Sequence, residues 1–408
     1  MNCRFCKHTL KYVFIDMLNS PASNSYLSVE QLNEPEMYYP LKVYVCDHCF
    51  LVQIDEYKKS TAIFDNNYAY FSSYSSSWLN HCKQYTQSAI ARFNINENSR
   101  VVELASNDGY LLQYFLEKNI PVLGIEPTQN TAAVAQEKGI NTLVDFFSAS
   151  LATHLSISGI QADLLIGNNV LAHVPNIIDF VHGMKILLKP QGVITMEFPH
   201  LIQLVDHTLF DTIYHEHYSY LSLFTVRQIF NKIGLEIFDV QELPTHGGSL
   251  RIYAKHMNDE SKPVSENVSH LLEQEMSKGV NQLAYYQHFT ERVETIKLNL
   301  LEFLVRCKKE GKRVAAYGAA AKGNTLLNYC GVKSDLIDFV VDANPAKQSK
   351  YMPASHIPIY NEEALKTQKP DYVLILPWNL KDEIVQQLDY IRGWGAQFVI
   401  PIPELIVI

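Results

Sequence analysis

The sequence predicts an α/β protein in three parts: a small N-terminal zinc-binding lobe, a central Rossmann-like domain and a smaller Rossmann-like C-terminal domain. Three observations lead there. Two C-x-x-C pairs, "CRFC" and "CDHC", stand near the N-terminus; a strand–helix alternation begins near residue 100; a second, shorter alternation begins near residue 313. The expected boundaries are 1–60, 61–240 and 241–408.

The first part rests on Cys3, Cys6, Cys46 and Cys49. Paired two-residue spacings in a reducing compartment read as a zinc site and not as disulfides. Each C-x-x-C turn offers two thiolates on one side, and four complete a tetrahedron with no position left for water. The metal is therefore expected to be structural. His8 and His48 lie close by in sequence, but four cysteines need no further ligand. Cys82, Cys307 and Cys330 are isolated and read as ordinary buried thiols.

Composition bounds the rest. Of 408 residues 47% are hydrophobic and 19% charged, and the formal net charge is −9. No apolar run reaches the roughly 20 residues needed to span a bilayer. No apolar leader follows the N-terminus, so a soluble, cytoplasmic protein is expected. Without a lysine/arginine run a nucleic-acid surface is not expected, and no protein partner is implied.

Residues 61–98 include "NNYAYFSSYSSSWLNHCKQYTQSAIARF", too aromatic for a flexible linker and running into a helix. From residue 100, "RVVELA" reads as a buried strand, "GYLLQYFLEKN" as a helix, "PVLGIEP" as a strand and "TAAVAQEKG" as a helix closed by glycine. "ADLLIGNNVLAHV" is a strand and loop, "IIDFVHGMKILLKPQG" a helix and "GVITMEFP" a strand. Such alternation implies a parallel sheet whose ligand sits at the carboxyl ends of its strands. Residues 260–310 are mostly helical. "RVAAYG", a helix from "AKGNTLLNYCG", "LIDFVVDANP", "DYVLILP" and "FVIPIP" form the second series.

The turn after the first central strand, "ELASNDG", lacks the G-x-G-x-x-G of a dinucleotide fold. It carries Glu103, Ala105, Asn107, Asp108 and Gly109 instead. Acidic groups there would repel a phosphate but suit a cation bearing hydroxyls and an amino group, as S-adenosylmethionine does. Glu126, at the end of the next strand, stands where a carboxylate can take two ribose hydroxyls. Asn168 closes the later strand over the same crevice. A nicotinamide-dependent oxidoreductase or epimerase, and a zinc-bearing binding module, remain alternatives at this point.

A dense segment, "DTIYHEHYSYLS" (211–222), supplies histidines, a carboxylate and phenols together. Histidine titrates near neutrality and serves as a base, a carboxylate can orient it, and a phenol can donate to a developing oxyanion. Two rival readings are a loop packed between domains and metal binding by His215 and His217. The latter lacks the His-Glu-x-x-His spacing of a hydrolytic zinc helix. "YGAAAKGN", after a strand and opening a helix, reads as an anion site with Lys322 and Asn324. "HGGSLR", with His246 and Arg251, is a second candidate for substrate contacts. Tight helix–strand packing is the bland alternative for both.

"CRFC…CDHC", "YAYFSS", "ELASNDGYLL", "GNNVLAHVPN", "EFPH", "FDTIYHEHYSYLS", "HGGSLR", "YGAAAKGNTLLN" and "VDANPAKQ" occur in that order. Together they resemble the zinc-containing sugar C-methyltransferases of deoxysugar biosynthesis, over nearly the whole chain. The resemblance implies that 61–240 is an S-adenosylmethionine-dependent methyltransferase domain. It further implies a nucleotide-diphosphate ketosugar substrate, methylated at C3 of a 4-keto-6-deoxysugar. Residue by residue, His217 matches the general base, and Tyr214 and Glu216 its partners. Asn169 and His173 match residues lining the pocket, and Tyr68 an aromatic reaching in from the N-terminal side. Ser349 and Ala354 stand where the family would carry glycine.

Overall fold

The computed structural model describes residues 1–64 and 68–408. The chain divides into two compact units. One comprises Met1–Lys11, Val45–Ile202 and Tyr218–Tyr285; the other comprises Tyr12–Tyr44, Gln203–His217 and Tyr286–Ile408.

The first unit is built on a seven-stranded sheet. Its strands are β1 (Val101–Leu104), β2 (Val122–Ile125), β3 (Thr142–Leu143), β4 (Ala162–Asn168), β5 (Leu188–Pro199), β6 (Leu235–Leu243) and β7 (Ser249–His256). The order is β6-β7-β5-β4-β1-β2-β3. β1 to β5 run parallel, while β7 lies antiparallel to both β5 and β6. β1 is buried along its whole length, as expected of a central strand covered on both faces.

The helices are α1 (Ser76–Phe93), α2 (Leu112–Leu116), α3 (Gln129–Glu137), α4 (Ala149–Ile157), α5 (Ile177–Leu187), α6 (Leu223–Ile233) and α7 (Glu266–Lys278). α1 begins where the Ser75 hydroxyl accepts the Trp78 N–H, and ends at Asn94 in the left-handed conformation. Its Trp78, Cys82, Tyr85 and Ala89 recur at helical spacing and pack on Val101, Leu164, Ile166 and Val193. Three elements differ from the sequence expectation. The helix after β1 is reduced to five residues. α5 ends at Leu187, and β5 starts one residue later and runs for twelve. Pro190 in that segment cannot continue a helix, so the chain extends there. The antiparallel strands β6 and β7 had no expectation at all.

The second unit holds a six-stranded sheet: β8 (Val314–Tyr317), β9 (Val340–Val341), β10 (Ile359–Tyr360), β11 (Tyr372–Ile375), β12 (Gln397–Ile400) and β13 (Ile406–Val407). The order is β10-β9-β8-β11-β12-β13, parallel except for the last pair. The long α8 (Phe289–Lys309) and α9 (Ala321–Cys330) belong here, and Phe14 of the N-terminal strand Tyr12–Ser20 stacks on Phe289 at 4.5 Å. Ser349 and Ala354 have φ of 64° and 60°, the left-handed conformation that glycine adopts at no steric cost.

Gly109 closes the β1 turn with φ of 75°, and a Cβ there would lie 2.3 Å from Ile140 Cδ1. Both the backbone and the space demand glycine. Gly109→Ala is expected to destabilise the first unit by roughly 1–3 kcal/mol, read as an earlier denaturation transition.

Candidate functional site: a methyl-donor crevice, a zinc centre and a histidine turn

In the first unit, Cys3, Cys6, Cys46 and Cys49 converge, with all four Sγ atoms within 4.8 Å of one another. Cys3 and Cys49 are 3.6 Å apart, and Cys6 and Cys46 3.5 Å. A tetrahedron with zinc–sulfur bonds of about 2.3 Å has edges of about 3.8 Å. The four thiols therefore fit the ion. Both knuckles close alike: Lys7 N–H bonds to Cys3 O and Phe50 N–H to Cys46 O, with Lys7 and Phe50 both at positive φ. Gln53 Nε2 donates to Cys3 Sγ at 3.1 Å, as outer hydrogen bonds to a thiolate ligand do. Hydrogen bonds from Cys46 and Cys49 push the Cys3 thiol far below its ordinary range against the effect of burial. His8 pairs with Asp47 instead of completing the site.

Arg4, inside the first knuckle, is a link that the sequence reading missed. Its guanidinium donates to Pro175 O at 2.6 Å and to Ile54 O, and lies 5.4 Å from the centre of the Tyr218 ring. It thereby ties the cysteine knuckle to the loop that carries His173.

Around the carboxyl ends of β1, β2 and β4 the first unit gathers the polar side chains expected of a cofactor site. Ala105 and Asn107 hold positive φ, unusual for residues with a side chain. Glu126 is fixed from below: its two oxygens accept the N–H of Asn107 (2.8 Å), the N–H of Thr128 (2.8 Å) and the Thr128 hydroxyl (2.5 Å). Glu103 is fully buried, and neither of its oxygens makes a hydrogen bond of normal geometry. Burial pushes its carboxyl well above the usual range, with Glu126 and Asp108 adding to the rise and the nearby Tyr110 phenol opposing it. Ser106 Oγ, one Asp108 oxygen and both amide atoms of Asn168 are likewise buried without a protein partner. Polar atoms left without a hydrogen-bond partner among the described residues along one sheet edge, beside the buried Glu103 carboxyl, fit a cationic ligand with an amino group and hydroxyls.

The segment Tyr68–Ser73 lies across this turn. Ser72 N–H donates to Asn107 Oδ1, Asn107 Nδ2 to Tyr70 O, Ser73 N–H to Asp108 Oδ2 and Asn130 Nδ2 to Tyr68 O. The Tyr68 and His173 rings both pack against Phe64, at 5.3 and 5.9 Å. Asp145 and Phe146, just beyond β3, occupy the same edge of the sheet and had no place in the sequence reading.

Asn169 turns off β4 with φ of 54°, donates its N–H to Glu197 O and pairs through Nδ2 with His246 Nε2 at 3.0 Å. Arg251 sits directly across from Glu197 in the β7–β5 register and bonds to it at 2.5 Å. His81 and the Thr245 hydroxyl complete that carboxylate's shell at 2.9 and 2.8 Å. Burial would raise Glu197, but His81 and Arg251 outweigh it and hold the carboxyl at about 2. His246 thus reaches Asn169, whereas Arg251 is committed to an internal ion pair.

In the second unit, residues 214–217 form a turn, not an extended run, so strand alternation does not govern which side chains share a face. His217 Nδ1 donates to Thr212 O at 2.7 Å, and its ring centre lies 4.0 Å from that of Tyr214. His215 turns instead to Pro40 O, at 3.2 Å. Glu216 accepts from Asn24 Nδ2 at 2.7 Å. Helix α9 is tied to the same segment, since the Thr325 hydroxyl donates to Ile213 O. Lys322 contacts Asn379 Oδ1 at 3.1 Å and lies 4.7 Å from the centre of the Trp378 ring. Trp378 in turn donates to Asp211 at 2.6 Å. Burial raises Asp211 to about 6 against the charge of Lys322, and burial lowers Lys322 in turn. Asn324 Nδ2 is directed to Ser23 O.

A doubly wound sheet whose carboxyl edge suits a sulfonium donor, together with a four-thiolate zinc centre, defines a class: an S-adenosylmethionine-dependent methyltransferase with a zinc-binding domain. Comparison with known proteins sharpens this. Family models match as a zinc-binding domain over residues 3–64, a methyltransferase domain over 78–240 and a C-methyltransferase C-terminal domain over 244–403. The chain is 32% identical over 402 residues to the C-methyltransferase NovU of Streptomyces niveus, covering 98% of this chain and 95% of that protein. Solved structures that match include an S-adenosylmethionine-dependent methyltransferase of Anabaena variabilis, at 16% identity and TM-score 0.36, over 44% of this chain and 86% of that one. Another is magnesium protoporphyrin IX methyltransferase of Synechocystis, at 16% identity and TM-score 0.34, over 44% and 80%. This chain belongs to the C-methyltransferase family that includes NovU. It is an enzyme that uses S-adenosylmethionine and carries a structural zinc, and the nicotinamide alternative falls with that assignment. Among the described residues, no helix is long and apolar enough to cross a membrane.

Two outcomes are expected here. Glu197 has its carboxyl lowered from 4.5 to about 2 in the fold, so its stabilisation is present above pH 4.5 and lost as pH falls toward 2. That contribution is on the order of 3 kcal/mol, and Glu197→Gln should flatten the denaturation midpoint across that window. Arg4→Ala should leave bound zinc unchanged by metal analysis yet speed amide exchange in residues 171–176, and chelating the zinc should speed it similarly.

Proposed function

We propose that this enzyme methylates C3 of a nucleotide-linked 4-keto-6-deoxysugar by forming an enolate and directing it at the donor methyl. The observation that carries this reading is the hydrogen bond from His217 Nδ1 to the Thr212 carbonyl. A carbonyl can only accept, so Nδ1 keeps its proton and the basic lone pair of the neutral ring is assigned to Nε2. A base of that kind takes the proton from C3, leaving the electron pair shared between C3 and the C4 oxygen. The Tyr214 phenol, stacked on the same imidazole, is placed to donate to that oxygen. Glu216 holds a sugar hydroxyl or orients the ring. When bound in the crevice of Glu103, Asn107 and Glu126, S-adenosylmethionine would supply an electrophilic methyl group on a cationic sulfur.

Asn169, with His246 beside it, and the Tyr68–Phe64–His173 aromatic group are the residues of the first unit assigned to substrate contacts. Glu103, Ala105, Asn107, Asp108, Gly109, Glu126 and Asn168 form the donor crevice. The β8–α9 loop with Lys322 and Asn324 takes the diphosphate, whose charge Lys322 offsets. Arg251, paired with Glu197, is assigned a supporting place beside the substrate contacts. In this reading 1–60 is the zinc lobe, 61–240 carries the donor and 241–408 the nucleotide handle. The enzyme works in the cytoplasm, where the four zinc thiolates stay reduced.

The test separates deprotonation from methylation. In deuterated buffer with the ketosugar and S-adenosylhomocysteine, the wild type should exchange the C3 hydrogen. His217→Ala should lower both exchange and methyl transfer by roughly 10²- to 10⁴-fold while retaining S-adenosylmethionine binding by titration. Exchange at the wild-type rate in His217→Ala would reassign the base.

A further inference from the structure

Glu216 is held by a residue to which the sequence gives no role. Asn24 Nδ2 lies 2.7 Å from Glu216 Oε1, and both belong to the second compact unit. A carboxylate only accepts, so the amide nitrogen must face it, and Asn24 Oδ1 turns toward the Tyr26 hydroxyl at 3.4 Å. Tyr26 directs its single proton to Ala319 O at 2.5 Å, a carbonyl that also accepts from Lys347 Nζ at 2.9 Å. Lys347 is buried and lies 3.6 Å from Asp342. A chain of polar contacts therefore runs from Glu216 through Asn24 and Tyr26 to the loop that opens α9.

We propose that Asn24 is a positioning residue for Glu216, keeping that carboxylate ionised and aimed. The proposal rests on the reading of Glu216 as part of the reacting turn. Glu216 is buried, and a buried carboxylate stays charged only where donors meet it. Asn24 is such a donor and can neither titrate nor repel.

The decisive comparison is Asn24→Ala with the near-isosteric Asn24→Asp, both as full-length, zinc-loaded protein. Asn24→Ala should lower kcat by roughly 10- to 100-fold, the cost of a misplaced catalytic group, at all pH values and with KM for S-adenosylmethionine unchanged. Asn24→Asp places two carboxylates at hydrogen-bond distance, where they must share a proton. At low pH the shared proton restores the bond, so activity relative to wild type should be highest there and fall steadily as pH rises. Parallel pH profiles for the two variants, or kcat within twofold of wild type in Asn24→Ala, would overturn the proposal.

A second measurement needs no turnover: the ¹³C-carboxyl titration of Glu216 should move up in Asn24→Ala, where the donor is lost, and move further in Asn24→Asp. Coincident titration curves in all three proteins would equally overturn it. Failure of the wild type to methylate any nucleotide ketosugar would defeat the assigned reaction, while the titration would still decide the Asn24–Glu216 pair.

Discussion

A buried carboxylate must be compensated, and at the carboxyl edge of the central sheet this protein does so in two different ways. Glu197 is answered from within by Arg251, His81 and Thr245, which turn burial from a cost into a rigid joint between β5, β7 and α1. Glu103, on β1 of the same sheet and equally buried, receives no such set of partners. Charge that the chain leaves unbalanced in a low-dielectric crevice is charge that a cationic ligand can balance. The contrast is one of partners: protein cations converge on Glu197, and none is among the groups that act on Glu103.

The zinc centre belongs to the same bracing. Its two knuckles are short and repeat one geometry, so four thiolates can be presented with little secondary structure around them. Arg4 leaves the first knuckle and satisfies the carbonyls of Pro175 and Ile54. A metal with no open coordination position can in this way still fix the backbone next to His173. The effect is positional and not electronic.

The histidine turn illustrates how tautomer choice is made by the backbone. A peptide carbonyl cannot donate, so its contact with His217 Nδ1 decides which nitrogen carries the proton of the neutral ring. Around it, the phenol of Tyr214, the Asn24-held carboxylate and the α9 helix are assembled within one compact unit. Asp211 and Lys322 both have their ordinary ionisation opposed by burial and partly restored by one another.

Local chemistry was legible in the sequence. The C-x-x-C spacings gave the zinc ligands because two-residue turns bring sulfurs together in almost any context, and hydrophobic runs gave the parallel core strands because those are buried on both faces. The acidic β1 turn announced a cationic ligand because charge type survives any packing. What the sequence could not give were partnerships across long separations. Arg251 meets Glu197 only through the antiparallel register of β7 on β5, and α5 and β5 changed length around Pro190. Asn24 and Glu216 are far apart along the chain, and only folding makes them neighbours. Composition and spacing determine which groups are available; tertiary structure decides which of them are spent on one another, because that depends on distances no local pattern encodes.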